Sequence, residues 1–464
     1  MDAEHLKPGD ITPELLQQFD RQAPRYTSYP TAPEFNESFG PEQFADAIRR
    51  ADAAADPLAM YLHIPFCREL CLFCGCNVVI TNALSKNRVY LEHLRKELAL
   101  AAPLLQKRRT IGQLHLGGGT PTQLSPPELD ELMEIVKNDF SFTSDAELSI
   151  EVDPRVTSAE HINTLARLGF NRISLGVQDF EPSVQAAVNR IQSEELTKNL
   201  FDECRRAGFR SINIDLIYGL PRQTPATFEK TLTSVIDMRP DRAAVFGYAH
   251  VPWMKKAQAV FDRSASLPNA RERCELFAIA IAKFTSAGYR SIGLDHFALP
   301  TDDLTKALDS GEMTRSFQGY TTRPAEDLLA LGHSSVSDLG GAYAQNARTL
   351  PEYESSIDAK RLATCRGYLL SKDDLLRRHV IMKVMSATVM HYCDIEQKFG
   401  ISFRDYFKSE VAELQLLADQ GLVRLTNETV SVTPIGRIFI RNVAMVFDRF
   451  LREKGGRKQY SRTV

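Results

Sequence analysis

Three cysteines stand within eight residues, as Cys67-Arg-Glu-Leu-Cys71-Leu-Phe-Cys74, and Cys76 follows two positions later. Thiolates at that density point to a metal, because deprotonated sulfur binds soft cations. A structural zinc site usually takes its cysteines as two C-x-x-C knuckles set apart along the chain. No second knuckle follows here, since Cys204, Cys274, Cys365 and Cys393 are scattered singly and read as buried small hydrophobes. A zinc loop completed by Cys76 or His63 is the competing reading. An iron–sulfur cluster normally takes four thiolates. Held by three, it keeps one iron with open coordination, as a catalytic centre requires.

A second group of residues lies downstream: Gly117-Gly118-Gly119-Thr120-Pro121, the carboxylates Glu151 and Asp153, then Gln178 and Asp215. A glycine run lets backbone approach a ligand where a Cβ would block it, although such a run is more often a plain turn. The elements that must position these residues follow from hydrophobic patterning. AMYLHI (59–64), QLHL (113–116), LSIEV (148–152), RISLGV (172–177), INIDLIY (212–218) and AAVFGYA (243–249) read as buried strands. Helical patterns separate them, over 86–101, after Ser125-Pro126-Pro127, and over 158–168, 194–207 and 225–237. Six strands alternating with helices predict an α/β fold with a parallel sheet and helical crossovers. The cysteines follow the first strand, the glycine run the second, the carboxylates the third and Gln178 the fourth, and Asp215 falls within or ends the fifth. Strand C-termini line the ligand site both in barrels and in open doubly wound sheets, so position alone leaves those two architectures open.

YRSIGLDHFAL (289–299) reads as a return segment. A polar arm occupies residues 1–55, the sheet unit and its extension 56–364, and a helical domain 365–464. In that last stretch, a helix capped by Ser371, helical patterns over 402–420 and 436–453, and a hairpin around Asn427 suggest a winged-helix-like module.

The chain has 464 residues, 43% hydrophobic and 25% charged, enough to bury a large core. Lysine plus arginine (56) against aspartate plus glutamate (59) gives a charge of −3. That balance supplies no positive field, which argues against nucleic acid or an acidic membrane surface as partner. MDAEHLKPGD lacks the basic cap and apolar stretch of a signal peptide, and runs such as LFAIAIA (276–282) are too short to span a bilayer. A cytoplasmic, monomeric enzyme is expected.

The cysteine loop, with an aromatic residue before its last thiol, resembles the signature of the radical S-adenosylmethionine enzymes, and the glycine run resembles that superfamily's glycine motif. YLHIPFCRELCLFCGCN (61–77), GGGTPT (117–122), EVDP (151–154), GVQDF (176–180), NIDLIYGLP (213–221) and RSFQGYTT (315–322) resemble, more closely, the oxygen-independent coproporphyrinogen III oxidases. RYTSYPTA (25–32) and KQYSR (458–462) are similar to that family's ends. Related haem-chaperone-like proteins share the loop, but they typically carry phenylalanine at the position of Cys76 and lack RYTSYPTA and FQGYTT. A non-catalytic, metal-stabilised binding module would leave the polar residues at the other strand ends unexplained.

The resemblance implies a partial (β/α)6 TIM-like barrel carrying the arm and the mainly helical C-terminal domain. It implies a [4Fe–4S] cluster on Cys67, Cys71 and Cys74. Two S-adenosylmethionine sites are implied, the cluster-bound one at Tyr61, Gly118, Glu151 and Val336, the second at Phe73, Gly119, Thr120, Gln178, Arg190, Asp215 and Ala249. Cys76 and Gln318 are implied as catalytic. The implied substrate is coproporphyrinogen III, served by an electron donor to the cluster and by an electron acceptor. Such a polyanion needs cationic anchors, for which Arg25 and Arg315 are candidates, although most arginines are solvated surface groups. His63 and His296 are expected to be structural, since the three-thiolate pattern needs neither.

Overall fold

Six parallel strands form the centre of the sheet in this computed structural model, which describes residues 10–264, 267–317, 319–322, 327–454, 460 and 462. They are β1 (Leu58–Ile64), β2 (Thr110–Gly118), β3 (Ser141–Val152), β4 (Arg172–Gln178), β5 (Ser211–Tyr218) and β6 (Arg242–Gly247), each paired in parallel with the next. The crossovers are α1 (Ser85–Ala101), α2 (Pro126–Asp139), α3 (Ala159–Leu168), α4 (Glu194–Arg206) and α5 (Pro225–Met238). Their starts are written locally. Ser125 and Glu128 close a capping box ahead of Pro126, and Thr224 caps α5 ahead of Pro225. Leucine, isoleucine and valine on the outer side of the strands pack against these helices, and most are fully buried.

Two edges extend the sheet. After β6, the 289–299 segment forms the antiparallel pair β7 (Arg290–Gly293) and β8 (His296–Ala298), the return expected there. Beside β1, β9 (Leu328–Leu331) pairs in parallel, and β10 (Val336–Leu339), β11 (Ala342–Asn346) and β12 (Thr364–Leu369) continue antiparallel. The sheet runs β12-β11-β10-β9-β1-β2-β3-β4-β5-β6-β8-β7 without closing, so the architecture is a partial barrel. Gln318 lies outside the described residues.

The C-terminal segment joins a helix (Lys372–Ser386) to a small three-stranded sheet, in which Val389–His391 and Val423–Leu425 flank Thr429–Val432. The expected hairpin around Asn427 is the pair Val423–Leu425 and Thr429–Val432. The helical pattern of 402–420 is interrupted, giving Phe403–Tyr406 and Lys408–Asp419, and that of 436–453 breaks into Pro434–Ile438, Ile440–Met445 and Arg449–Lys454. Periodicity hides these breaks because the interrupting residues are core aromatics. Phe407 packs on Phe403 and Phe447, and Phe439 lies 4.8 Å from Phe19 of the arm.

The arm is sewn to this segment. Tyr26 donates from its hydroxyl to Asp448 at 2.9 Å, Asn442 donates to the Phe19 carbonyl at 2.9 Å, and Tyr343 reaches the Tyr29 carbonyl at 3.3 Å. Among the described residues, no helix is long and apolar enough to cross a membrane.

Candidate active site

Parallel pairing sets residues of neighbouring strands side by side on one face. Glu151 registers with Ser174, Gly176 with Asp215, and Asp215 with Ala244. Stepping by two along each strand, Ser149 and Glu151, Ser174 and Gly176, Asn213 and Asp215 all face the barrel interior. The loop that follows β1 covers their C-terminal ends, and a cavity of about 520 Å³ lies between. Cys67, Cys71, Cys74, Cys76 and Phe73 line it from the loop, Gly118, Gly119 and Thr120 from the glycine run, and Glu151, Gln178, Arg190 and Asp215 from the strand ends.

The glycines are demanded by contact. Gly118 has φ +115°, and a Cβ there would stand 2.6 Å from the His63 ring. At Gly119 a Cβ would stand 2.6 Å from the Pro65 carbonyl oxygen. Both leave the cavity wall as bare backbone. Gln178 adopts φ +70° at the point where the pairing of β4 with β5 slips by one residue. A non-glycine residue in that conformation is strained, and strain of this kind collects at functional sites.

His63 fastens the loop. Its Nε2 donates to the Asn77 carbonyl at 3.0 Å and its Nδ1 accepts from the Tyr61 hydroxyl at 3.0 Å, which fixes the neutral tautomer. Burial pushes its pKa down to about 4. His296 stands apart from the cysteines, against Asp295, Phe246 and Tyr320.

Each loop sulfur has a polar neighbour. Thr120 Oγ1 lies 3.4 Å from Cys67 Sγ, and the Cys76 amide donates to Cys74 Sγ at 3.4 Å. Cys71 Sγ accepts from Arg190 at 3.5 Å and from Arg155 at 3.6 Å. Burial pushes the Cys67 thiol up to about 11. The hydrogen bond from the Cys76 thiol holds Cys74 down at about 6, and the same bond raises Cys76. Lys255 anchors this turn by donating to the Cys76 carbonyl at 2.7 Å.

This donor set fits a multi-iron cluster. Among the described residues, no three His, Cys, Asp or Glu side chains converge as around a single ion, whereas the three thiols open together on one cavity. Thiolates around a cluster are shared among several irons and need not meet at a point. Hydrogen bonds to such sulfurs tune the cluster they hold.

The carboxylates opposite differ in character. Enclosure works against ionisation of Glu151, but the hydrogen bond from His115, that residue's charge and the Gly118 amide outweigh it and hold its pKa below the ordinary range. An ionised carboxylate there suits a ligand ammonium. Burial pushes Asp215 up to about 6, although Ser174 and Asn213 donate to it at 2.8 and 2.7 Å. Arg190 bridges Asp153, at 3.0 Å, and the Gly176 carbonyl, and its Nε is buried without a hydrogen-bond partner. The Arg190 side chain is among those lining the cavity.

Three expected cofactor positions, Val336, Ala249 and Tyr61, are not in the lining of this cavity. Val336 opens β10 and packs with Phe35, Tyr343 and Leu370, and Ala249 lines a separate small cavity beyond β6. Tyr61 sits behind the glycine run, stacked on His115 at 5.8 Å. Sequence reasoning missed Arg155, Ser174 and Lys255. Arg155 had a signal, two residues after Asp153 in the same strand-end motif. Lys255 lies 179 residues from its partner and had none.

The family model described as the Radical SAM superfamily matches residues 61–235, and that described as the HemN C-terminal domain matches 370–439. The oxygen-independent coproporphyrinogen III oxidase of Synechocystis is 43% identical over 459 residues, 98% of each chain. That of Escherichia coli K12 is 44% identical over 450 residues, 97% of this chain and 98% of the relative. A solved structure described as coproporphyrinogen III oxidase (HemN) from Escherichia coli, a radical SAM enzyme, superposes with a TM-score of 0.88 at 44% identity, covering 93% of this chain and 100% of that one.

Proposed function

We infer how this site works from one premise: the chain belongs to the oxygen-independent coproporphyrinogen III oxidases, within the radical SAM superfamily. It is an oxidoreductase that uses a [4Fe–4S] cluster and S-adenosylmethionine. It converts two propionate side chains of coproporphyrinogen III to vinyl groups with loss of carbon dioxide, giving protoporphyrinogen IX without oxygen. The carrying observation is that three thiols, a glycine-lined wall and an ionised Glu151 meet on one cavity at the strand C-termini. The haem-chaperone alternative is disfavoured by this near-full-length relatedness to the oxidases.

Cys67, Cys71 and Cys74 hold the cluster in this reading. When bound there, cluster and cofactor would supply the radical chemistry needed to remove a hydrogen atom from the propionate β-carbon. Glu151 would pair with the ammonium of the cofactor, and the Gly118 backbone would give its aminocarboxylate room. Arg190, Asp215, Gln178, Thr120, Gly119 and Phe73 line space enough for a second cofactor. Arg190 offers positive charge to a carboxylate, and Asp215 accepts from a hydroxyl or ammonium. Cys76, exposed at the cavity mouth, and Gln318 stand as catalytic candidates, and Ala249 and Val336 as more distant cofactor contacts. The arm and C-terminal segment shield the barrel end from water and stray hydrogen donors. A cytoplasmic monomer with an external electron donor and acceptor completes the proposal.

The test supplies coproporphyrinogen III, reductant and an electron acceptor without oxygen. Deoxyadenosine and carbon dioxide should form in equal amounts, and deuterium at the propionate β-carbon should pass into the deoxyadenosine. Cofactor cleavage with unlabelled deoxyadenosine would discard this substrate and leave a radical enzyme.

A further inference from the structure

Another groove, with a cavity of about 340 Å³, runs beside the cysteine loop. Leu70, Cys74, Cys76 and Val78 border both this groove and the main cavity. Glu151, Gln178, Arg190 and Asp215 border only the main one. A molecule in the groove therefore reaches the thiol loop but not the strand ends. Electrons cross a thin protein wall, whereas a hydrogen atom must be taken at contact, so the groove suits the first exchange and not the second.

Its walls are fixed to the loop. The segment after β6 supplies Met254, Lys255, Lys256 and Ala257. Two side chains tie that segment down: Lys255 donates to the Cys76 carbonyl at 2.7 Å, and buried Gln258 donates to the Phe73 carbonyl at 3.0 Å. The stretch before helix Leu350–Asp358 supplies Arg348 and Thr349, and His333 Nε2 donates to the Arg348 carbonyl at 2.9 Å.

The lining is cationic. Lys255, Lys256 and Arg348 face the groove, and among the described residues no Asp or Glu does. Lys255 donates to uncharged acceptors, the Cys76 carbonyl and the Asn77 side chain, which leave its charge in place. Lys256 and Arg348 are exposed. Glu352, in the helix behind Arg348, accepts from Thr349 at 2.7 Å. Burial holds the His333 ring below its ordinary pKa, so it adds no charge at neutral pH. Trp253, the one tryptophan of the chain, and Met254 are 56% and 65% exposed in the segment that carries the two lysines. Arginine, methionine and tryptophan are the side chains enriched where proteins dock. The chain as a whole carries −3, so the attraction for an anion is local to this face.

We propose that this groove docks an acidic one-electron carrier protein, the donor that serves the active site. The proposal rests on the reading of Cys67, Cys71 and Cys74 as cluster ligands. The carrier gives up one electron, the group held by the three thiolates gains it, and no atom is transferred. Transient redox pairs bury little surface and find each other through complementary charge, which a compact cationic groove provides.

The experiment uses the full-length, cluster-loaded enzyme and, as probe, a flavodoxin, an acidic flavin mononucleotide protein. Calorimetry should show binding that weakens steeply with added salt. Lys256→Glu and Arg348→Glu should each raise the Kd at least about ten-fold, and Lys256→Arg should bind as wild type does. Both glutamate variants should also slow bleaching of the iron–sulfur absorbance by reduced flavodoxin. With dithionite, a reductant that needs no docking, bleaching and KM for coproporphyrinogen III should stay within two-fold of wild type. No binding to wild type, binding indifferent to salt, or a Kd within two-fold of wild type in both glutamate variants would overturn the docking site. A raised KM for coproporphyrinogen III under dithionite would overturn it too, by making the groove part of the substrate's path. Wild-type enzyme whose absorbance dithionite cannot bleach would instead overturn the cluster reading beneath it.

Discussion

The Arg190 guanidinium stands 3.5 Å from Cys71 Sγ while its other contacts hold Asp153 and the Gly176 carbonyl. A thiol of the cysteine loop, a carboxylate and a strand-end carbonyl therefore share one cation. Arg190→Met should retain iron, because the three thiols remain, yet lower kcat about 10–100-fold, the scale for lost outer-shell partners of a metal site. Removing a positive charge beside the sulfur should also make the cluster harder to reduce. A redox titration alongside single-turnover kinetics checks both, and loss of iron would show that Arg190 is needed to build the loop.

Cys67→Ser, Cys71→Ser and Cys74→Ser should each abolish the iron–sulfur absorbance and turnover, since alkoxide oxygen is a poor ligand for iron in these clusters. Cys76→Ser should differ. Cys76 is exposed and serves Cys74 as a hydrogen-bond donor, a role a serine hydroxyl can fill. Iron and sulfide analysis should read wild-type values while carbon dioxide release falls. A Cys76→Ser protein without iron would make Cys76 a ligand.

Gly118→Ala should cost roughly 1–3 kcal/mol of stability, combining strain at positive φ with displacement of the His63 ring. Gly75→Ala, in the same region but with open space where its Cβ would stand, should fall within about 0.5 kcal/mol of wild type. Chemical denaturation of the two variants side by side tests the contrast.

His63 and His379 are both held near pKa 4, His63 by burial and His379 by burial with Lys398, Lys383 and Arg378 nearby. In the unfolded chain each titrates near 6.5. The unfolded state therefore binds more protons between pH 6.5 and 4, and stability falls as pH drops through that window. The contribution is full above pH 6.5, and for buried His63 it amounts to roughly 2–3 kcal/mol. Urea denaturation at pH 7.5 and 5.0 should show the loss. His379→Phe, which keeps the contact with Phe399, should flatten part of the slope.

Much of the site was legible because its chemistry is local. Cys67, Cys71 and Cys74 share one loop, Gly118 and Gly119 one turn, and Glu151 and Gln178 stand at the ends of, and Asp215 within, apolar runs whose alternation with helices predicts the parallel order observed. Parallel strands align their C-termini, so residues far apart in the chain were placed at one end before any contact was known. The interruptions at Phe407 and Phe439 were not legible, since core aromatics continue a helical pattern whether or not the backbone does.

Residue type at short spacing was enough to specify the three-thiolate loop, the glycine wall, the alternating fold and the family. Only the folded chain reveals that Arg155 and Arg190 converge on Cys71, that Ala249 and Val336 stand away from the main cavity, and that Arg25, Arg273, Arg441 and Arg462 surround a single small one. The cause is separation along the chain. A local motif specifies its own geometry, whereas arginines 25 to 462 residues from the start meet only because the arm and tail fold back over the barrel rim.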